Sequence, residues 1–239
     1  MIKFQYAYIR DVVIRLASFT IRGFTVKLLL DSKVYKPSYT TKLIAESLPD
    51  LSGLYVLDLG TGSGILSIIA SMLGARKIIA TDISRRALKN ASENLKYNNI
   101  DNVELRLGDL YEPVYGESFD VIISNPPMTP SPTPLPSYTW GGVDGRRILD
   151  AVIKNSVNYL KSNGRLIIPT ISIVGIEKTS SLLRDLGFKV KVLGYGYHSF
   201  GRILLKLKEH IDRLPSAEYF YDVYGRPCWR LVVYEASVR

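Results

Sequence analysis

The sequence predicts a doubly wound α/β fold, with a mostly parallel central sheet and helices on both of its faces. Short, nearly continuous apolar runs alternate with helical segments from residue 54 to residue 193, as expected for buried parallel strands joined by helical crossovers. The first apolar run ends in a glycine-rich turn, Asp58–Gly64. Hydrophobic residues make up 46% of the 239-residue chain, which suffices for one core with a modest extra element.

The elements of this region follow from their start and stop signals. Apolar runs bounded by turn residues predict strands at 54–59, 77–81, 102–107, 119–124, 165–170 and 189–193. Helical spacing predicts helices at 65–73, 84–98, 146–160 and 177–186. Ser84 is a suitable N-cap for the second of these helices, since its hydroxyl can accept from a free backbone N–H.

The N-terminal segment, residues 1–48, is basic and apolar. Phe24–Leu30 and Ser32–Tyr35 are predicted to form a strand pair that turns at Asp31-Ser32. A helix capped by Thr40 or Thr41 is then predicted to run to about Leu48, where Pro49 stops it.

Residues 49–201 are predicted to form the ligand-binding catalytic domain, and residues 202–239 to complete its sheet. Apolar residues of this last segment recur at helical spacing between Ile203 and Leu214, and Pro215 would end that helix. A strand at Ile203–Leu207 is the competing interpretation. Tyr219–Tyr224 and Cys228–Glu235 then predict a β-hairpin.

Composition excludes several classes of protein. A single cysteine, Cys228, and two histidines leave no disulfide framework and make a Cys/His zinc site untenable. No stretch approaches the roughly 20 apolar residues of a membrane span, so we expect a soluble protein. The single cysteine indicates a reducing, cytoplasmic compartment, and the scarcity of cysteine and histidine leads us to expect no metal. The net charge of +9 fits an anionic partner such as RNA or a ribonucleoprotein, and equally a solvated basic surface.

The turn from the first strand to its helix is built to approach a ligand closely, because glycine frees the backbone and helix N–H groups face the ligand. A dinucleotide fingerprint would need glycine where Ile65 stands, which disfavours an NAD-dependent oxidoreductase. Gly60, Gly62 and Gly64, with Asp58 two residues ahead of them, instead resemble the first motif of class I S-adenosylmethionine-dependent methyltransferases.

This resemblance implies that Asp58 lies near the methionine end of the cofactor and that Gly60-Thr61-Gly62 and Gly64 form the floor beneath it. Asp82 closes the second strand, where a carboxylate can accept hydrogen bonds from both ribose hydroxyls. Asp109 follows the third strand and is implied to accept from the adenine amino group. The remaining residues of the predicted cofactor site are Ile83, Leu110, Asn125 and Thr40.

The fourth strand ends in Asn125-Pro126-Pro127-Met128, the predicted catalytic motif. Two prolines fix φ and hold the carbonyls of Asn125 and Pro126 outward. A planar amino or amide nitrogen is a poor nucleophile because its lone pair is delocalised. If the Asn125 side-chain oxygen and the Pro126 carbonyl accept its two hydrogens, orientation and hydrogen bonding can carry the reaction.

The motif resembles the Asn-Pro-Pro-aromatic group of methyltransferases, which includes protein-(glutamine-N5) release-factor methyltransferases and related RNA-base N-methyltransferases. The resemblance covers about residues 34–193 and implies a Rossmann-like, mostly parallel sheet of seven strands. Segment 34–41 is similar to the segment that precedes the first strand in the glutamine-modifying branch and folds over the cofactor, so the helix that follows it is expected to cover the cofactor. Segment 140–146 is similar to the glycine-rich turn that follows the motif in the same branch. Met128 departs from the group, since an aromatic side chain there stacks on the target; Tyr138 or Trp140 could supply it instead.

The sequence therefore predicts methyl transfer to the amide nitrogen of a glutamine in a translation-related protein such as a release factor. The alternative is an exocyclic base amine, adenine N6 or guanine N2, of rRNA or tRNA. A small activator subunit is a further expected partner. A non-catalytic cofactor-binding protein is disfavoured by the intact motif. Aromatic and basic residues mixed in segment 202–239 suit RNA stacking or simply complete the sheet.

Overall fold

The computed structural model describes residues 3–9 and 12–238, with side chains from residue 16 onward. Five strands of its central sheet are parallel: β4 (Tyr55–Leu59), β5 (Lys77–Asp82), β6 (Val103–Leu107), β7 (Phe119–Ser124) and β8 (Leu160–Ile171). They lie in the order β6-β5-β4-β7-β8. Apolar side chains bury both faces of these strands, as the continuous runs predict.

The sheet continues beyond β8 with an antiparallel strand. Strand β11 (Pro227–Ser237) pairs with β8 on one side and with β9 (Lys189–Ser199) on the other. The hairpin partner of β11 is the two-residue strand β10 (Phe220–Tyr221). The expected mostly parallel sheet of seven strands is confirmed, with β10 as an additional short eighth strand.

Helices cover both faces of the sheet. One core cluster packs α1 (Tyr39–Ser47) and α2 (Ile65–Met72) against the sheet, and the other packs α4 (Arg147–Ser156) and α5 (Ile176–Asp185). Neighbouring β4 residues take part in different clusters, Val56 in the first and Leu57 in the second, because side chains alternate along a strand. The remaining helices are α3 (Arg85–Tyr97), α6 (Arg202–Lys206) and α7 (Lys208–Asp212).

A second, antiparallel sheet precedes the first and consists of β1 (Lys3–Ile9), β2 (Val12–Ile21) and β3 (Phe24–Leu30). Its edge strand β3 lies along α3, where Asn90, Asn94 and Asn98 face the strand at successive turns. Asn94 Oδ1 accepts from the Leu29 N–H at 2.7 Å, and Asn98 exchanges two hydrogen bonds with the Lys27 backbone. This asparagine ladder substitutes for a neighbouring strand.

Several local predictions were wrong. Ser32–Tyr35 is not a strand, since the Asp31 carboxylate and carbonyl accept from the backbone N–H groups of Lys33 and Val34 and turn the chain; β3 pairs with β2 instead. The N-cap of α1 is Ser38 and not Thr40 or Thr41, because the Ser38 hydroxyl accepts from the Thr41 N–H and the Thr41 hydroxyl accepts from the Ser38 N–H. The helix predicted from Ile203 is divided at Leu207 into α6 and α7.

Ser84 caps α3 through its hydroxyl, as predicted. Among the residues that the structure describes, helices long and apolar enough to traverse a bilayer are absent. The same part of the chain holds no cluster of three side chains suited to a metal ion.

Candidate functional site

A cavity of about 540 Å³ opens at the carboxyl ends of β4, β5, β6 and β7, the edge at which open parallel sheets bind ligands. Most of the predicted cofactor residues line it: Gly60, Thr61, Gly62, Asp82, Ile83, Asp109, Leu110 and Asn125. Lys33 and Tyr35, which precede α1, and Thr41, in the first turn of α1, line it as well. The cavity is therefore bounded by the sheet edge and by residues 33–41, the covering segment.

The glycine turn is held in place by the neighbouring strand. The N–H groups of Gly60 and Thr61 both donate to the Thr81 carbonyl at 2.9 Å. Gly64 does not line the cavity; it ends the turn with a φ of +83°, and a Cβ there would lie 3.2 Å from the Ala91 side chain. Glycine at this position thus serves the close approach of α2 to α3.

Asp58 lies beneath the turn, completely buried and outside the cavity lining. Its Oδ2 accepts from the hydroxyls of Thr61 at 2.7 Å and Ser67 at 2.5 Å. Its Oδ1 has no hydrogen-bond partner among the described residues. Burial raises the pKa of Asp58 to about 6, although the two hydroxyls favour the ionised form. Asp58 thus keeps one buried acceptor oxygen without a donor among the described residues, directly beneath the glycine turn.

Asp82 stands at the end of β5 and ties the glycine turn to α3. Its Oδ2 accepts from the Gly62 N–H at 2.9 Å and its Oδ1 from the Ser84 N–H at 2.8 Å. Burial raises the pKa of Asp82, and these two backbone N–H groups oppose that shift. Each oxygen keeps a lone pair for a further donor. The carboxylate can therefore accept from two hydroxyl groups in the cavity.

Asp109 is an exposed residue of the cavity lining, and its backbone carbonyl accepts from the Glu112 N–H at 3.0 Å. The next residue, Leu110, has a φ of +43°, a conformation that costs free energy for a side chain of this size. Strain beside a cavity is common at ligand sites.

The predicted catalytic motif follows β7, whose last residue Ser124 donates to the Leu59 carbonyl at 2.8 Å. This bond joins the ends of β7 and β4, so that Asn125 is adjacent to the glycine turn. Asn125 Nδ2 donates to Thr41 Oγ1 at 3.1 Å. This hydrogen bond uses one of the two amino hydrogens and fixes the orientation of the amide, and Asn125 Oδ1 accepts from no described residue.

A smaller cavity of about 120 Å³ lies next to the first and shares Tyr35, Asn125, Pro126, Pro127 and Tyr138 with it. The motif thus separates a large cavity from a small one. Thr40, predicted to contact the cofactor, lines only the small cavity, whereas its neighbour Thr41 lines the large one.

Met128 also lines the small cavity, and it is packed in the core with 7% of its surface exposed. Of the two aromatic residues considered as its substitutes, Tyr138 lines both cavities. Trp140 lines neither; it lies against the Arg147 guanidinium at 4.5 Å and donates to the Ser131 carbonyl. Sequence reasoning missed Trp229, which lines the small cavity from β11, because no local pattern relates residue 229 to residue 128.

The chain belongs to the Methyltransferase small domain family, which matches residues 35–194. This membership confirms the expected class, a methyltransferase, and S-adenosylmethionine as its cofactor. The residues described above fit that cofactor: a carboxylate with two free acceptor sites and a glycine turn border one cavity of sufficient size, and a buried oxygen without a donor lies beneath that turn.

Named relatives support the same class. A protein of Methanocaldococcus jannaschii, provisionally named a protein N5-glutamine methyltransferase, is 40% identical over 173 residues, which are 70% of this chain and 87% of the relative. The Mtq2-Trm112 complex of E. cuniculi, described as responsible for methylation of the translation termination factor eRF1, has a similar fold (TM-score 0.60, 20% identity, 87% of this chain and 99% of that one).

A third similar structure is the 16S rRNA methyltransferase RsmC of T. thermophilus in complex with AdoMet and guanosine. Its TM-score is 0.59 at 17% identity, over 100% of this chain and 51% of that one. At such identities, the two solved structures establish the shared α/β fold. The fold class predicted from the sequence is confirmed.

Proposed function

We propose that this methyltransferase transfers a methyl group to the side-chain amide nitrogen of a glutamine in a translation-related protein such as a release factor. The observation that carries the proposal is the state of Asn125. Its Nδ2 donates to Thr41, its Oδ1 accepts from no described residue, and Asn125 and Pro126 both line the two cavities. Two acceptors at this position suit an NH₂ group with two hydrogens.

S-adenosylmethionine supplies a methyl group on a positively charged sulfur, which a modest nucleophile can accept. The chain's own contribution is to orient that nucleophile. Asn125 Oδ1 and the Pro126 carbonyl accept the two amide hydrogens and hold the lone pair toward the methyl group. The nitrogen gains the methyl group and releases one proton, and the sulfur keeps the electron pair of the broken bond.

We assign the cofactor-binding roles to the large cavity. Asp82 would accept from the ribose hydroxyls, Asp109 from the adenine amino group, and Asp58 from the amino group of the methionine part. Thr41 takes the role first predicted for Thr40. Met128 is retained as a wall of the acceptor site and not as a stacking surface. The catalytic part remains residues 49–201.

A glutamine acceptor is supported by the M. jannaschii relative, whose name states N5-glutamine methylation. The E. cuniculi complex supports a termination factor as the acceptor and a small activator subunit as a partner. A base amine of rRNA or tRNA is the second candidate, favoured by the net charge of +9 and by the likeness to the T. thermophilus rRNA enzyme.

Incubation of the protein with isotopically labelled S-adenosylmethionine and a cell extract tests the proposal. We expect a label that protease removes and nuclease does not, and mass spectrometry should locate it on a glutamine. A label lost to nuclease but resistant to protease would refute the glutamine acceptor. The variant Asn125→Ala is the control: it should strongly reduce labelling, and cofactor binding measured by calorimetry should show that the variant is folded.

A further inference from the structure

Strand β11 contributes a tryptophan to the small cavity, although the family match ends at residue 194. Trp229 is nine-tenths buried, with 8% of its surface exposed. Its ring is positioned by Tyr39 of α1, at a centroid distance of 6.4 Å, and by His198 of β9, at 5.8 Å. The segment beyond the family domain therefore supplies a fixed wall of the cavity next to Asn125.

The indole N–H of Trp229 donates to no acceptor among the residues that the structure describes. Trp140, by contrast, donates to the Ser131 carbonyl at 3.1 Å. The Trp229 Nε1 atom is also not among the buried side-chain atoms that lack a partner, so the N–H reaches accessible space although most of the ring is buried. A tryptophan N–H in such a position ordinarily finds a hydrogen-bond partner. Trp229 is thus an accessible donor at the cavity wall without an acceptor among the described residues.

The walls of the cavity complement a primary amide. Asn125 Oδ1 and the Pro126 carbonyl can accept the two N–H hydrogens, and the amide carbonyl then requires a donor. Trp229 provides that donor. Tyr138 and Trp229 also provide flat aromatic surfaces on a cavity to which Met128 contributes none.

We infer that Trp229 is the specificity-determining residue of the acceptor site, donating its indole N–H to the carbonyl oxygen of the glutamine amide and flanking the amide plane in place of the aromatic residue that Met128 replaces. This inference rests on the proposed glutamine acceptor. It gives the C-terminal segment 202–239 a defined role, the acceptor side of the active site.

Intrinsic fluorescence tests the inference directly, since the chain contains only two tryptophans. In Trp140→Phe, all tryptophan emission comes from Trp229. This variant, saturated with S-adenosylhomocysteine, is titrated with N-acetyl-glutamine N-methylamide up to its solubility limit. We expect a saturable change in emission, and no such change with the glutamate analogue, which lacks the NH₂ group. Equal responses to both, a response to adenosine alone, or no response would overturn the inference.

Kinetics with the acceptor identified by extract labelling provide a second measurement. Trp229→Phe keeps an aromatic ring and loses the donor, so we expect its KM for the acceptor to rise about tenfold, which corresponds to about 1.4 kcal/mol. The Kd for S-adenosylmethionine should stay within about twofold of the wild-type value, as should both constants for Trp140→Phe. An unchanged KM would overturn the role of Trp229.

The two proposals can fail separately. A protein label in the extract together with an unchanged KM for Trp229→Phe would overturn the role of Trp229 and leave the glutamine acceptor standing. A nuclease-sensitive label would overturn the glutamine acceptor itself. Because the fluorescence titration leaves residue 229 unmodified, it decides the matter even if Trp229→Phe does not fold.

Discussion

The amide of Asn125 is held by the hydroxyl of Thr41, with 3.1 Å between Nδ2 and Oγ1. The two residues are 84 positions apart, one after strand β7 and the other in helix α1. The same hydroxyl accepts from the backbone N–H of Ser38, the N-cap residue of α1. Tyr35 donates to the Ser38 hydroxyl at 2.8 Å. The covering segment thus reaches the proposed catalytic amide through a chain of side-chain hydrogen bonds.

Removing this hydroxyl should impair methyl transfer more than cofactor binding. In Thr41→Val, the Asn125 amide can rotate and present its amino group to the acceptor, so we expect kcat to fall roughly tenfold, the effect of losing one hydrogen bond worth about 1.4 kcal/mol. Steady-state kinetics and calorimetry with S-adenosylmethionine measure the two effects. Thr41→Ser retains the hydroxyl and should retain most of kcat.

The combination of Thr41→Val with Asn125→Ala separates this role from general destabilisation. If Thr41 acts through Asn125, the double variant should be no slower than Asn125→Ala alone. Additive losses would show that Thr41 affects the rate by another route.

Asp58 should make folding stability depend on pH in an unusual direction. Its pKa is raised from 3.8 to about 6 in the folded protein, so the folded state binds more protons than the unfolded state between these values. Its contribution to stability therefore falls as the pH rises through this window, by about 3 kcal/mol in total. Urea denaturation of the wild type and of Asp58→Asn between pH 4 and pH 7 measures the difference. If the free energy of unfolding of the two proteins changed in parallel with pH, the raised pKa of the buried Asp58 carboxyl would be contradicted.

Asp82→Asn should weaken cofactor binding. An asparagine places an NH₂ group against either the Gly62 N–H or the Ser84 N–H, both of which are donors. It also loses the charge that strengthens hydrogen bonds to hydroxyl groups. We expect the Kd for S-adenosylmethionine to rise about 10- to 100-fold by calorimetry, in line with about 1.5–3 kcal/mol for a hydrogen bond to a charged group. In Asp109→Asn, which keeps an acceptor oxygen on an exposed side chain, the rise should be at most a few-fold. Equal effects in the two variants would argue against separate roles.

Asn94 connects the small N-terminal sheet to the cofactor cavity. It is fully buried, accepts from the Leu29 N–H at 2.7 Å and donates to the Ser63 carbonyl in the glycine turn at 2.9 Å. Asn94→Ala leaves these buried backbone groups unpaired, so we expect a loss of stability of about 2–4 kcal/mol and weaker cofactor binding.

Asn98→Ala is the matched control for this prediction. Asn98 contacts the same strand through the Lys27 backbone but does not reach the glycine turn. Its removal should lower the free energy of unfolding in a urea titration and leave the Kd for the cofactor unchanged. A change in Kd in both variants would indicate that the position of β3, and not the contact with Ser63, controls the turn.

The parts of the fold governed by local pattern could be predicted from the sequence. Strand β7 begins and ends as predicted, because its apolar run is bounded by polar residues and prolines. Asp82 and Asp109 were expected at neighbouring strand ends, and both line the same cavity. Parallel strands bring their carboxyl ends to one edge regardless of their distance along the chain.

The parts that depend on distant contacts could not be predicted. The asparagine ladder on α3 is meaningful only beside β3, some 65 residues earlier. The contact of Thr41 with Asn125 requires the covering segment to fold over the sheet edge. Trp229 was treated as one of several C-terminal aromatic residues, since only the insertion of β11 beside β8 brings it to the motif.

The position of β11 between β8 and β9 also constrains the order in which the protein assembles. Among the described residues, strand β9 pairs with the central sheet only through β11, which follows it by about 30 residues. On the ribosome, β8 and β9 emerge with a missing neighbour between them, and each exposes backbone hydrogen-bonding groups along that gap. This half of the sheet, and the acceptor wall with it, therefore closes last, whereas the strands that frame the cofactor cavity can pair as soon as they are synthesised.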